Sequence, residues 1–258
     1  MGSKLGERES WLAIAEQAAL KAGSFLATAK KSSLKINISS RRDAKIKADQ
    51  QAETIILRLL RKYTDFSILT EESGFLLGQA EHKEPNWIID PLDGSLNFSR
   101  GIPICCISIS LWRDSQPILG VIYDFNRHEL FKGVVGGGAV LNGRRIHVSS
   151  VAKKSAAIMM TGFPVGADFS SQAILSFVNN LRVFKKVRLL GSAALSLAYV
   201  ACGRADCYAE NGIRIWDVAA GLALVKAAGG RIRVKPVKYK ETLDVIAANS
   251  LLMGQARK

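Results

Sequence analysis

Trp87-Ile-Ile-Asp-Pro-Leu-Asp-Gly-Ser-Leu-Asn-Phe98 runs from three apolar residues straight into two aspartates, a proline and a glycine. The apolar triplet reads as the end of a buried strand, and Asp90 and Asp93 stand three residues apart on the turn that follows it. Pro91 stiffens that turn, and Gly94 admits a close approach of backbone to a ligand. Carboxylates held so near one another repel, so the arrangement is costly unless positive charge lies between them.

Other acids fall in comparable places. Asp49 lies at the start of a helical pattern, Glu71 and Glu72 follow directly on the apolar run Ser67-Ile68-Leu69, and Asp217 opens a helix after Trp216. Strand ends and helix starts are where ligands collect in layered α/β folds. Hard oxygen donors without a nearby His or Cys suit Mg²⁺ or Mn²⁺ and argue against zinc. Any one of these acids alone is more simply a helix cap or a partner for the many Lys and Arg residues. Capping does not explain two aspartates flanking Pro-Leu after an apolar strand.

The rest of the chain supplies layers around that stretch. Trp11, Ile14, Ala15, Ala18, Ala22, Phe25 and Leu26 share one face of a helix over 7–29, and Ala52, Ile55, Ile56, Leu59 and Leu60 one face of a second helix over about 48–63. A polar, basic loop is expected over 31–43. Short strands are expected at 67–69, 87–89, 104–112, 118–125 and 130–135, with Gly136-Gly137-Gly138 as a turn. Beyond it strand and helix alternate: strands at 156–160, 187–190, 206–209, 231–235 and 243–247, helices at 171–184, 192–202 and 216–228. No linker or repeat separates the halves, which read as one domain of two intimate subdomains, about 1–148 and 149–258.

Composition narrows the class. Of 258 residues, 48% are apolar and 22% charged, as in an ordinary globular protein with ample core. The N-terminal segment has no apolar signal core, and no apolar run reaches the ~18 residues that a membrane span needs, so a cytoplasmic protein is expected. Cys105, Cys106, Cys202 and Cys207 form no C-x-x-C pattern; Cys105 and Cys106 lie in a strand pattern, point to opposite faces, and read as reduced structural thiols. Thirty-six basic residues against 22 acidic ones give a net charge of +14, but they are scattered and no aromatic residues interleave with them. Contact with nucleic acid is therefore expected to be at most weak and non-specific.

The sequence resembles the inositol monophosphatase family, in the lithium-sensitive phosphatase superfamily that also holds the fructose-1,6-bisphosphatases. Glu71-Glu72-Ser73, the stretch from Trp87 to Phe98, and Trp216-Asp-Val-Ala-Ala-Gly221 carry the resemblance, with Gly138-Ala-Val-Leu-Asn-Gly143 and Gly191-Ser-Ala-Ala194 at matching spacing. The resemblance implies an αβαβα sandwich and a homodimeric phosphomonoesterase using two or three Mg²⁺ ions, with Mn²⁺ able to substitute. By position, Glu71, Asp90 and the carbonyl of Leu92 would hold a first metal, and Asp90, Asp93 and Asp217 a second. Glu71, Ser95 and Asp49 match the groups that activate water, and the N–H groups of Gly94 and Ser95 match those that bind phosphate. Ser192, Ala193, Glu210 and Asp217 match contacts to the substrate ring.

The expected reaction is hydrolysis of inositol monophosphate. Histidinol phosphate, fructose 1,6-bisphosphate and 3′-phosphoadenosine 5′-phosphate are the rival substrates, and a catalytically silent, basic nucleic-acid-binding relative is the rival from another class. Two positions depart from the family pattern. Ser95 stands where many members have Thr, and Asp43-Ala44-Lys45-Ile46 replaces a stretch that ends in Thr, which bears on the number of metals and on lithium inhibition.

Overall fold

In the computed structural model, which describes residues 2–28, 36–39, 44–79, 85–163, 167–237 and 241–254, two large sheets are interleaved with three layers of helix. The larger sheet has eight strands, in the order β10-β9-β8-β7-β6-β5-β3-β4. They are β3 (Ile68–Thr70), β4 (Gly74–Leu76), β5 (Asn86–Asp93), β6 (Cys106–Arg113), β7 (Gln116–Asp124), β8 (Glu129–Val134), β9 (Gly138–Leu141) and β10 (Arg144–Ile146). The smaller sheet, ordered β12-β11-β13-β15-β14, comprises β11 (Ile158–Met160), β12 (Lys186–Arg188), β13 (Cys207–Arg214), β14 (Arg231–Pro236) and β15 (Thr242–Ala248).

The helices α1 (Gly2–Ala27) and α2 (Lys47–Tyr63) cover one face of the larger sheet. On α2 the buried stripe Ala48, Ala52, Ile56, Leu60 repeats every four residues, Asp49 sits in the positive first turn, and Arg61 and Lys62 sit in the negative last turn. The other face of that sheet packs on α5 (Ala193–Ala201) and α6 (Ile215–Ala227), which the smaller sheet covers from its own side. Both helices are almost wholly apolar because both sides are buried. Gly120 on β7 permits the contact: a Cβ there would lie 2.4 Å from the Ala220 carbonyl of α6. On the far side of the smaller sheet lie the end of α4 (Ser171–Leu181) and α7 (Ser250–Gly254), around Met159, Cys207 and Leu252. The layers are therefore αβαβα.

Several local expectations are corrected. A short hairpin pairs β1 (Ile36–Ser39), inside the segment expected to be a loop, with β2 (Ala44–Ile46) just beyond it; Asp43 falls outside the described residues. The strands β4, β9 and β10 and the helix α7 were not expected, being three to five residues long and too short to show a period. More consequentially, β5 does not end at Ile89 but continues through Asp90 and Pro91 to Asp93, and β13 continues past Ala209 to Arg214. Cys105 and Cys106 do face opposite ways, one into each of the two main cores, and all four cysteines are free. Among the described residues no helix is long and apolar enough to cross a membrane.

Candidate active site

The irregularity in β5 explains why its two aspartates are three residues apart. Asp90 pairs with Ser108 of β6 and Asp93 with Cys106, so three steps on β5 oppose two on its partner. In a regular strand, residues three apart point to opposite faces. One extra residue, a β-bulge, restores the parity and brings both carboxylates to the inner face, while Leu92 turns into the outer core. Pro91 is tolerated because a bulge leaves a ladder position unpaired. The Leu92 N–H donates to Asp90 Oδ1 at 3.0 Å and locks the local turn.

Other elements deliver acids to the same place. Asp217, in the first turn of α6, is half-buried, and Glu71 follows β3 with its N–H donating to the Ile89 carbonyl of β5 at 3.3 Å. Asp90 is held well above the ordinary carboxylate range, first by burial and then by the negative charges of Glu71, Asp93 and Asp217. Asp217 is raised by burial and by Glu71, Asp93 and Glu210, with Arg214 opposing. Burial pushes Asp93 up to about 6, against hydrogen bonds from Ser192, the Ala194 and Ala193 N–H groups and Cys106.

Ser95 opens the short helix α3 (Ser95–Ser99), behind Gly94 at φ 89°. A Cβ on Gly94 would lie 2.8 Å from the Ile104 carbonyl, so both the backbone angle and the space exclude a side chain. Ser95 Oγ donates to the Leu92 carbonyl at 2.9 Å and lies 3.4 Å from Asp49 Oδ1 of α2. Asn97 then ties α3 to the far half: its Nδ2 donates to the carbonyls of Ile104 at 2.8 Å and Leu190 at 2.9 Å.

The second half presents Ser192, Ala193 and Glu210. Ser192 caps α5, and Ala193 and Ala194 open it with their N–H groups on Asp93. Glu210 sits within β13, 7% exposed, and the Tyr208 hydroxyl donates to its Oε2 at 2.8 Å. Burial excludes a surface ion pair for Glu210 and pushes its carboxyl up to about 7. Four residues absent from the expected set also belong here: Glu53, Asn97, Cys106 and Tyr208. Tyr208 was legible as the same-face neighbour two residues before Glu210, and Glu53 as an acid on the buried stripe one turn after Asp49. Asn97 and Cys106 gave no local signal.

Among the described residues, no group of three or more His, Cys, Asp or Glu side chains is arranged to hold an ion as it stands. The donor chemistry nonetheless fits a hard divalent cation. The donors are carboxylates from three elements that raise one another's pKa, with Arg214 opposing at Asp217.

The chain is similar to known proteins along nearly its whole length. A sequence model described as the inositol monophosphatase family matches residues 7–256. "Nus factor SuhB" of Escherichia coli K12 is 40% identical over 92% of this chain and 91% of its own length. "Inositol-1-monophosphatase" of a Synechocystis strain is 40% identical over 86% of this chain and 78% of its own. Among solved structures, the inositol monophosphatase of an Anabaena strain superposes with a TM-score of 0.81 at 36% identity, covering 96% of this chain and 93% of that one. The extragenic suppressor protein suhB of Bartonella henselae does so at 0.85 and 33%, covering 95% and 96%.

Proposed function

The chain belongs to the inositol monophosphatase family, and on that premise we propose that it is a Mg²⁺-dependent phosphomonoesterase hydrolysing inositol monophosphate to inositol and phosphate. The observation that carries the reading is the β5 bulge. It sets Asp90 and Asp93 on one face opposite Asp217, in a buried group whose like charges raise one another's pKa. A fold does not spend a bulge on two buried acids facing a half-buried third unless cations relieve their repulsion.

Glu71, Asp90, the Leu92 carbonyl, Asp93 and Asp217 would hold two or three Mg²⁺ ions. Bound there, the ions would neutralise phosphate charge and lower the pKa of water. The protein's own groups do the rest. Glu71 and Ser95 orient the attacking water, and Asp49, beside Ser95 Oγ at 3.4 Å, takes up the proton that passes through the hydroxyl. The N–H groups of Gly94 and Ser95 hold phosphate oxygens at the start of α3, where helical N–H groups lack intrahelical partners. Ala193 and Glu210 line the side on which the ring lies; with Oε2 occupied by Tyr208, Glu210 Oε1 is the oxygen offered to ring hydroxyls.

On the same reading the enzyme is a lithium-inhibited cytoplasmic homodimer, its metal half about 1–148 and its ring half about 149–258. Helix α4, which buries none of its residues and exposes Leu175 and Val178, is a surface such pairing would cover. Association with nucleic acid would be weak and salt-sensitive, given the scattered charge.

Phosphate release, measured with Mg²⁺ across inositol monophosphates, histidinol phosphate, fructose 1,6-bisphosphate and 3′-phosphoadenosine 5′-phosphate, tests the reading. Inositol monophosphate should have the highest kcat/KM, and chelator should abolish turnover until Mg²⁺ is restored. Substantial hydrolysis without a divalent ion would sink the metal mechanism, and preference for a rival would change the substrate.

A further inference from the structure

Helix α2 sends two buried acids towards the site from successive turns. Asp49 meets Ser95; Glu53, 5% exposed, meets the turn that bears Glu71 and Glu72. Thr70 Oγ1 donates to Glu53 Oε1 at 2.7 Å, the Ser73 N–H donates to the same oxygen at 3.1 Å, and Ser73 Oγ donates to Oε2 at 2.6 Å. Thr70 and Ser73 bracket Glu71 and Glu72, so one carboxylate grips both ends of the four-residue turn. From the other side the Glu71 N–H is bonded to the Ile89 carbonyl of β5, one residue before Asp90.

We propose that Glu53 is a positioning residue, whose buried carboxylate fixes the turn at Thr70 and Ser73 and thereby presents Glu71 to Asp90. The need is physical. Glu71 and Asp90 repel each other, since the Glu71 charge is the largest of those acting on Asp90. A free loop would relax by swinging Glu71 outwards and would recover conformational entropy in doing so. Three hydrogen bonds to a buried carboxylate oppose that relaxation, because bonds to charged groups are the stronger ones. Glu53 touches neither substrate nor the reacting atoms in this account; it acts through Glu71. The inference rests on the proposed metal-dependent phosphatase reading.

The test is Mg²⁺ binding by calorimetry to metal-free Glu53→Ala and Glu53→Gln, alongside melting temperatures and the Mg²⁺ and substrate dependence of phosphate release. Glu53→Ala should weaken Mg²⁺ at least tenfold while KM for substrate at saturating Mg²⁺ stays within about twofold. Glu53→Gln keeps one acceptor oxygen for Thr70 and the Ser73 N–H, and the Ser73 hydroxyl can turn to accept from its amide, so it should restore most of the affinity. Ser73→Ala, which removes a single bond, should lie between wild type and Glu53→Ala even if the latter folds poorly. Unchanged Mg²⁺ affinity in Ser73→Ala and in a folded Glu53→Ala, with only a lower melting temperature, would overturn the proposal and leave the phosphatase reading standing. Wild-type protein that binds no Mg²⁺ would overturn both.

Discussion

Ser192 Oγ donates to Asp93 Oδ2 at 2.5 Å, and the same oxygen takes the Ala194 N–H at 2.8 Å. The hydroxyl of Ser192, a residue 3% exposed that caps α5, is thus given to a buried carboxylate of the larger sheet. Cys106 Sγ approaches the same Asp93 oxygen at 3.7 Å.

Ser192→Ala should therefore act through Asp93 more than on the substrate ring. The Mg²⁺ concentration for half-maximal activity should rise about tenfold, with KM for inositol monophosphate at saturating Mg²⁺ nearly unchanged. Loss of the cap should also cost about 1 kcal/mol of stability. A tenfold rise in KM at an unaltered Mg²⁺ requirement would instead place the hydroxyl on the ring.

Asp93→Asn should leave the enzyme inactive and yet make the metal-free protein more stable at alkaline pH. Asp93 is raised from 3.8 to about 6 in the folded state, so the fold binds its proton more tightly than the unfolded chain does. Its favourable contribution is complete below the unfolded value and is lost as pH rises through about 6. A shift of roughly two units corresponds to about 3 kcal/mol, or several degrees in melting temperature. Metal-free wild type should lose stability between pH 4 and 7, and Mg²⁺ should restore it by mass action. Calorimetric melts from pH 4 to 8 check this; a metal-free variant that melts below wild type at pH 8 would show that the buried charge is not a liability.

Ser95→Ala removes a hydroxyl that touches Asp49 and the Leu92 carbonyl. If the hydroxyl passes a proton to Asp49, kcat should fall by ~10²-fold with a modest change in KM. If it only braces the turn through Leu92, stability should fall by about 1 kcal/mol and kcat should stay. Steady-state kinetics beside a melting curve separate the two.

The expected site was legible because its acids violate local rules. Asp90 and Asp93 interrupt the end of an apolar strand, and capping does not explain them. How Asp90 and Asp93 come to share a face was not legible, since a turn and a bulged strand both accept Pro91 and Gly94; the register against Ser108 and Cys106 decides it, and that register is set by β6. The strand expected at 206–209 was cut short of Glu210 for a related reason. Three steps on β13, from Glu210 to Ile213, oppose two on β15, so a second irregularity hid the strand's true length. Asn97 was invisible because its partners lie up to 94 residues away. Periodicity reports neighbours in sequence, and this site is built from long-range pairings.

The last prediction concerns Glu210, whose carboxyl burial pushes up to about 7 while the Tyr208 hydroxyl pulls it down. A contact to ring hydroxyls serves ground and transition states alike, so Glu210→Gln should raise KM more than it lowers kcat. A hydrogen bond to a charged group contributes ~1.5–3 kcal/mol, so KM for inositol monophosphate should rise about tenfold. p-Nitrophenyl phosphate, which has no ring hydroxyls, should hardly respond. The pH dependence sharpens the test. As Glu210 ionises it becomes the stronger acceptor, so KM for inositol monophosphate should fall as pH rises through about 7. Tyr208→Phe removes the bond that favours the charged form, so the carboxyl should hold its proton longer and the midpoint of that fall should move to higher pH. Taking the ratio of KM values for the two substrates at each pH cancels whatever the metal site itself titrates. A ratio that is flat with pH, or a midpoint unmoved in Tyr208→Phe, would mean that Glu210 serves the fold or the metals and that the preference for inositol monophosphate has lost its structural support.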